Sequence, residues 1–269
     1  MAQRGMIGDR AAAGACIALC AALCTGGCGE DGPAQADIPH VKPTIIRTLP
    51  HDSLAFTQGL LFHEGRLYES TGGYGRSSVR ILDTLDGRVL RQVPLDQDLF
   101  AEGLARMDDR LVQLTWRAGR AIIYAQDDLA TVGGFLYSGE GWGLAASRHA
   151  FIMSNGSDTL YFRDRHFSIT GAVAVTFEGR RLTRLNELEY ARGMVYANVW
   201  HSVYVFEIDP ACGSVRRIID CTELTEQARP RGREEVLNGI AYNRDAGTFF
   251  LTGKNWRLLF EVRIPSGSP

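Results

Sequence analysis

The sequence has no long apolar run, no sustained helical period and no concentration of one charge sign, and each absence removes a class of protein. Its one extended apolar stretch, Ala11 to Leu23, is too short to span a bilayer comfortably. Beyond it apolar residues do not recur at three and four positions, and Leu224 to Ala228 offers one turn of helix at most, so an all-β chain is expected. The 29 basic and 31 acidic residues are spread along the chain to a net charge of -2, with neither basic stripe nor acidic tail. Nucleic acid is therefore not an expected partner. His40, His51, His63, His149, His166 and His201 are scattered, with no HxxxH, HxH or Cys/His spacing, so no metal site of that kind is expected. A GxSxG elbow and a Walker loop are also missing. Cysteine is scarce beyond the first 28 residues: Cys16, Cys20, Cys24 and Cys28 lie there, which leaves Cys212 and Cys221. That even pair would form a disulfide in an oxidising compartment, or remain two buried thiols.

What is present begins with Arg4 and Arg10 ahead of the apolar run, then the small residues Thr25, Gly26 and Gly27 before Cys28. This order reads as a bacterial secretory signal over residues 1–28, with export to the periplasm. Cys28 also permits lipoprotein processing, but Thr25 poorly matches the aliphatic residue usual there, so soluble export is placed ahead of a lipid anchor. Residues 29–42, rich in Gly, Pro, Asp and Ala, read as a flexible tether. Order is expected to begin near Pro43, with one domain over 43–264 and a tail over 265–269.

Past the tether, short β-branched and aromatic runs alternate with turn signals such as Asp86-Gly87, Asn155-Gly156 and Asp245-Ala246-Gly247. A fragment of the form X-Gly-Leu recurs: Gln58-Gly59-Leu60, Glu102-Gly103-Leu104, Trp142-Gly143-Leu144, Asn186-Glu187-Leu188 and Asn238-Gly239-Ile240. Its aliphatic residues are spaced by about 44, 40, 44 and 52, near the period of a four-stranded propeller blade. A second cluster follows each copy at a matching offset: Ser70-Thr71, Thr115-Trp116, Ser154-Asn155, Val199-Trp200 and Thr252-Gly253-Lys254. Five copies imply a five-bladed β-propeller. The last copy, ending in Leu258 to Ile264, is one strand short, and Thr44 to Leu49 precedes the first. Their pairing would close the ring and remove the open edge at the seam.

In a propeller the innermost strands converge on the axis, so equivalent repeat positions form a ring. The first ring is Gln58, Glu102, Trp142, Asn186 and Asn238; the second includes Trp116, Asn155, Trp200 and Lys254. Together they supply one carboxylate, one ammonium, several amides and three of four tryptophans, an apolar wall with few polar groups of the kind that binds small molecules. The competing reading is structural: propeller tryptophans are often core residues, and a Glu before Gly can bond neighbouring amides. Tyr74, in Gly72-Gly73-Tyr74-Gly75, reads as a lid or a hairpin turn.

The segments Phe56-Thr57-Gln58-Gly59-Leu60, Phe100-Ala101-Glu102-Gly103, Leu114-Thr115-Trp116, Gly141-Trp142-Gly143, Leu185-Asn186-Glu187-Leu188-Glu189, Asn198-Val199-Trp200, Leu237-Asn238-Gly239-Ile240 and Leu251-Thr252-Gly253-Lys254 resemble the plant and bacterial type of glutaminyl-peptide cyclotransferase. The likeness runs in order from about Thr44 to Ile264. It implies a propeller enzyme, an aminoacyltransferase that converts amino-terminal glutamine of peptides and proteins to pyroglutamate with release of ammonia, without metal or other cofactor. It also implies Glu102 as general acid/base, with Gln58, Asn186, Lys254, Phe56, Phe100, Trp116, Trp142 and Trp200 around the substrate. Asn186 takes this role through its LNELE motif, whereas Asn155 lies in a less specific SNG. The expected partners are peptides beginning with glutamine, with the membrane involved only if Cys28 is lipidated and the chain acting as a monomer. Two rivals stay open on the residues: a non-catalytic periplasmic propeller that binds peptides on its funnel face, and a Ca²⁺-dependent lactonase-like propeller, disfavoured by the single carboxylate of the first ring.

Overall fold

Each X-Gly-Leu fragment opens the innermost strand of a separate antiparallel sheet in the computed structural model, which describes residues 37–266. Blade I comprises Thr57–His63, Arg66–Thr71, Ser78–Asp83 and Val89–Pro94. Blade II comprises Ala101–Met107, Arg110–Thr115, Arg120–Ala125 and Thr131–Leu136, and blade III Leu144–Ala146, Phe151–Met153, Thr159–Arg163 and Ile169–Ala174. Blade IV runs through Leu185–Ala191, Met194–Val199, Tyr204–Ile208 and Val215–Asp220. Blade V takes three strands from Leu237–Asn243, Thr248–Gly253 and Leu258–Arg263, and its fourth from Thr44–Pro50. Inner strands are buried on both faces whereas the outer strands of blades I, II and III are largely exposed, which is why the inner ones read as unbroken rather than alternating runs. Apolar clusters fill the spaces between neighbouring blades.

The innermost strands touch in succession around the axis, I to II to III to IV to V and back to I. That crowding explains the glycine of the repeat. A Cβ on Gly59 would lie 2.5 Å from the Leu104 amide nitrogen, and one on Gly143 would run into the Asn186 carbonyl. In blade IV the glycine is replaced by Glu187, whose buried carboxylate accepts the amide N–H groups of Leu60 (3.2 Å) and Ile240 (2.9 Å). One side chain thus ties three inner strands together at the axis.

The seam closes as the incomplete repeat predicts, with Thr44 opposite Arg263 and Pro50 opposite Leu258. Directly after it, His51 is buried with Nε2 2.9 Å from Glu69 Oε1 and Nδ1 2.8 Å from the Trp256 carbonyl. The Trp256 carbonyl and an ionised Glu69 are both acceptors, so the arrangement favours a ring protonated on both nitrogens. Burial alone would lower its pKa; the adjacent Glu69 carboxylate reverses this and raises it. Burial pushes Glu69 up in turn, but His51, Arg80 and the Thr57 hydroxyl hold it below its ordinary value. A buried charge pair therefore joins blades V and I beside the closing strand.

Three expectations change. Cys212 is exposed in the turn before Val215–Asp220 and Cys221 is buried directly after that strand; both are free thiols. Six strand residues separate them by roughly 20 Å, far beyond the reach of a disulfide. The tether also shortens, because His40–Val41 adds in parallel to Ile218 and Ile219 at the outer edge of blade IV. The single helical turn is a seven-residue helix, Thr222–Ala228, with Asp220 accepting the Thr222 amide at 3.0 Å and Leu224 and Ala228 buried at i, i+4 spacing. Residues 1–36, on which the expected export signal, Cys28 and most of the expected tether fall, lie outside the described residues, as do 267–269.

Two outcomes are expected. Glu69→Gln leaves a buried imidazolium without its counter-charge and lowers stability by about 3–5 kcal/mol in urea denaturation. The wild-type pair stabilises fully below the ordinary His value of 6.5 and above the ordinary Glu value of 4.5. Its contribution falls as pH rises through the raised His51 pKa, a dependence that Glu69→Gln removes. In a chain beginning at Asp37, thiol titration of the native protein finds Cys212 alone, and Cys221 reacts only after denaturation; protection of both thiols under non-reducing conditions would contradict the free-thiol assignment.

Candidate active site

The pairing of Thr57, Ala101, Leu185 and Leu237 with the neighbouring strand is followed by a shift in register before Gly59, Leu104, Leu188 and Ile240. A bulge at the entry of an inner strand re-aims the side chain it carries. Here those side chains are Gln58, Glu102, Asn186 and Asn238, the positions the repeat places on one ring. Blade III delivers Trp142 from just ahead of its shorter inner strand.

The ring opens into a cavity of about 470 Å³. All nine positions carried by the family likeness line it: Glu102, Gln58, Asn186 and Lys254 with the aromatic residues Phe56, Phe100, Trp116, Trp142 and Trp200. Asn238 lies just beneath. Its Nδ2 donates to the Thr57 carbonyl (2.8 Å) and to Gln58 Oε1 (3.3 Å), and Gln58 Nε2 donates to Glu102 Oε1 (2.9 Å). This chain fixes which way the Gln58 amide faces and commits one of its two N–H donors to Glu102. Asn186 Oδ1 is buried without a hydrogen-bond partner in the protein.

Glu102 is 4% exposed, and burial pushes its carboxyl well above the ordinary value, against the opposing charge of Lys254 and with a further push from Glu140. Burial lowers the Lys254 ammonium, opposed by Glu102 and Glu234. Lys254 Nζ sits 4.9 Å from the centroid of Phe56. Around these groups Phe100 meets Trp116 edge to face at 5.6 Å, and Trp142 meets Trp200 at 5.9 Å.

Three lining residues, Arg117, Glu140 and Glu234, escape the sequence reading. Glu140 Oε2 accepts both the Trp116 and Trp142 indole N–H groups, at 2.8 and 3.0 Å, while Oε1 accepts Arg117 Nε at 2.9 Å. Slight burial raises Glu140, but those three bonds hold it below the usual carboxylate value. Glu234 Oε2 accepts the Trp200 indole at 3.2 Å. The two rim carboxylates thus set the orientation of three tryptophans. A signal existed for each: Glu140 stands two residues before Trp142, Arg117 follows Trp116, and Glu234 lies in the fourth interval, which is longer than the others.

Two sequence candidates fall elsewhere. Asn155 does not line the cavity; its Oδ1 is bonded to the amide and hydroxyl of Ser157, making it a turn residue. Tyr74 is 56% exposed and leans edge-on against Phe100 at 5.4 Å, behind the aromatic wall. What converges is a buried carboxylate whose proton affinity burial raises, an ammonium, an open amide oxygen and an aromatic enclosure.

A family model described as Glutamine cyclotransferase matches residues 17–264. The Arabidopsis thaliana protein named glutaminyl-peptide cyclotransferase is 36% identical over 247 residues, spanning 89% of this chain and 77% of that one. The crystal structure of Myxococcus xanthus glutaminyl cyclase superposes with a TM-score of 0.81 at 40% identity, covering 86% of this chain and all of that one. With its five blades, its axial carboxylate and a matching sequence over nearly its whole length, the chain belongs to the glutamine cyclotransferase family.

Proposed function

We propose that this protein is a glutaminyl-peptide cyclotransferase that closes amino-terminal glutamine to pyroglutamate by general acid/base catalysis without a metal ion. The observation that carries this reading is Glu102: a buried, raised carboxyl bonded to Gln58 on the floor of an aromatic pocket. In the reaction the substrate's own α-amine attacks its side-chain carboxamide carbon, so the protein must fold the residue back on itself and move protons. The aromatic walls suit that folded side chain and exclude water. Glu102 takes the proton as the amine nitrogen bonds to carbon, then delivers it to the departing nitrogen as the carbon–nitrogen bond breaks and ammonia leaves. An α-amine has a pKa of roughly 8, and a carboxyl raised by burial is better matched to it than an exposed one.

Attack places negative charge on the carboxamide oxygen. Lys254, the Asn186 amide and the second N–H of the Gln58 amide line the cavity and are the donors available to that oxygen. Metal independence is supported by the donor set: among the described residues no three His, Cys, Asp or Glu side chains gather as a cation site. The rim acids are engaged with tryptophan and arginine donors instead. Export to the periplasm is part of this proposal and rests on the leader, Arg4 through Cys28.

Glu102→Gln should keep the fold and lower kcat by about 10²–10⁴ on a Gln-initiated peptide, followed by ammonia release; near-normal turnover would sink its role. Activity should be unchanged after dialysis against chelator, whereas loss restored by a divalent cation would overturn metal independence. Gln58 donates to the Glu102 carboxylate and so favours its charged form. Gln58→Leu should therefore move the acidic limb of the kcat/KM profile to higher pH. An unmoved or lowered limb would reject Glu102 as the titrating base. Should the protein release no ammonia from any Gln-initiated peptide, with or without chelator, the scaffold reading would replace this one.

A further inference from the structure

Next to the active-site mouth lies a second cavity of about 530 Å³, built largely by the connection that makes the fourth repeat interval longer than the rest. Arg229 and Arg231 come from this connection, and Arg257 faces them from blade V. All three guanidinium groups are exposed, and among the described residues none forms an ion pair. The acid beside them is already engaged: Glu235 Oε2 accepts the Arg231 amide at 2.7 Å.

Two walls are shared with the catalytic pocket through consecutive residues. Glu234 and Lys254 line that pocket, and Glu235 and Asn255 line this groove. The groove is held firmly. The indole of the fully buried Trp256 donates to the Glu235 carbonyl at 3.0 Å, the Lys254 amide donates to the Val236 carbonyl at 2.9 Å, and Asn255 Nδ2 donates to the Ser53 carbonyl at 3.0 Å. Three arginines without an ion-pair partner among the described residues are therefore carried on firmly held backbone beside the exit of the pocket.

We infer that this groove is a subsite for acidic side chains of the substrate, downstream of the glutamine being cyclised. The inference rests on the cyclotransferase reading. With glutamine in the pocket, an extended chain leaving between Glu234 and Lys254 runs toward the groove that Arg229, Arg231 and Arg257 line. Asp or Glu there meets donors that no protein carboxylate occupies. Exposed ion pairs are individually weak, so the groove selects among peptides rather than determining whether they react.

The test compares kcat/KM for the dipeptide Gln-Ala, the peptide Gln-Ala-Glu-Glu-Ala and the peptide Gln-Ala-Lys-Lys-Ala, using the wild type and the Arg231→Glu/Arg257→Glu double variant. The wild type should favour the acidic over the basic peptide by about three- to tenfold at low salt, mostly through KM, and the gap should shrink as salt rises. The double variant should reverse the preference while cleaving ammonia from Gln-Ala at the wild-type rate. Equal rates on the two longer peptides, or an acidic preference that survives the double variant, would overturn the subsite while Gln-Ala turnover upholds the cyclotransferase reading. No turnover of any of the three peptides would overturn both.

Discussion

The crowding of five inner strands around one axis is the constraint on which the rest of the molecule depends. It demands a residue without a side chain where neighbouring backbones meet, as at Gly59 and Gly143. It also forces each long inner strand to shift register just before that point, which turns Gln58, Glu102, Asn186 and Asn238 toward the axis. Shape and chemistry come from the same local event. The bulge that lets the blades approach also aims a polar group into the cavity they enclose.

Axial burial then gives three carboxylates three different fates. Glu69 keeps its charge because an imidazolium, a hydroxyl and a more distant guanidinium surround it. Glu187 is pushed up by burial and by nearby Glu189, and its two backbone N–H bonds make it a fastener between strands. Glu102 has one amide donor and the charge of Lys254 opposing its burial, so it is the least committed of the three and lines the cavity. The number of committed hydrogen bonds separates structural from chemical roles here, since all three are deeply buried. Lys254 is one of only two lysines in a chain whose other basic residues are arginines. A compact ammonium whose pKa yields to burial, as this one does, suits an interior donor better than a guanidinium fixed in its charge.

The tryptophans show how the rim serves the floor. Each indole N–H needs an acceptor, and placing that acceptor at the mouth leaves the ring faces bare inside. Glu140 holds two rings from different blades, so it couples blades II and III where a bound residue would sit. Arg117 stacks over Trp116 at 3.8 Å while bonding Glu140, which completes the brace.

By itself the sequence determined the blade count, the closing strand and the level of Gln58, Glu102, Trp142, Asn186 and Asn238, because a repeat of fixed period leaves equivalent residues in equivalent places. It also marked Trp116, Trp200 and Lys254 through the second cluster, while wrongly adding Asn155, whose offset matches but whose side chain closes a local turn. The cysteine pair misled for a related reason: proximity in sequence says little when a whole strand runs between two residues. The rim acids were out of reach, since Glu140 and Glu234 matter only through indoles brought to them by other segments. Tertiary structure alone decided that Gln58 faces Glu102, that His51 pairs with Glu69 and that three arginines line a groove beside the mouth. Each depends on which donor meets which acceptor across blades, and a periodic pattern specifies the level of a side chain without specifying its partner.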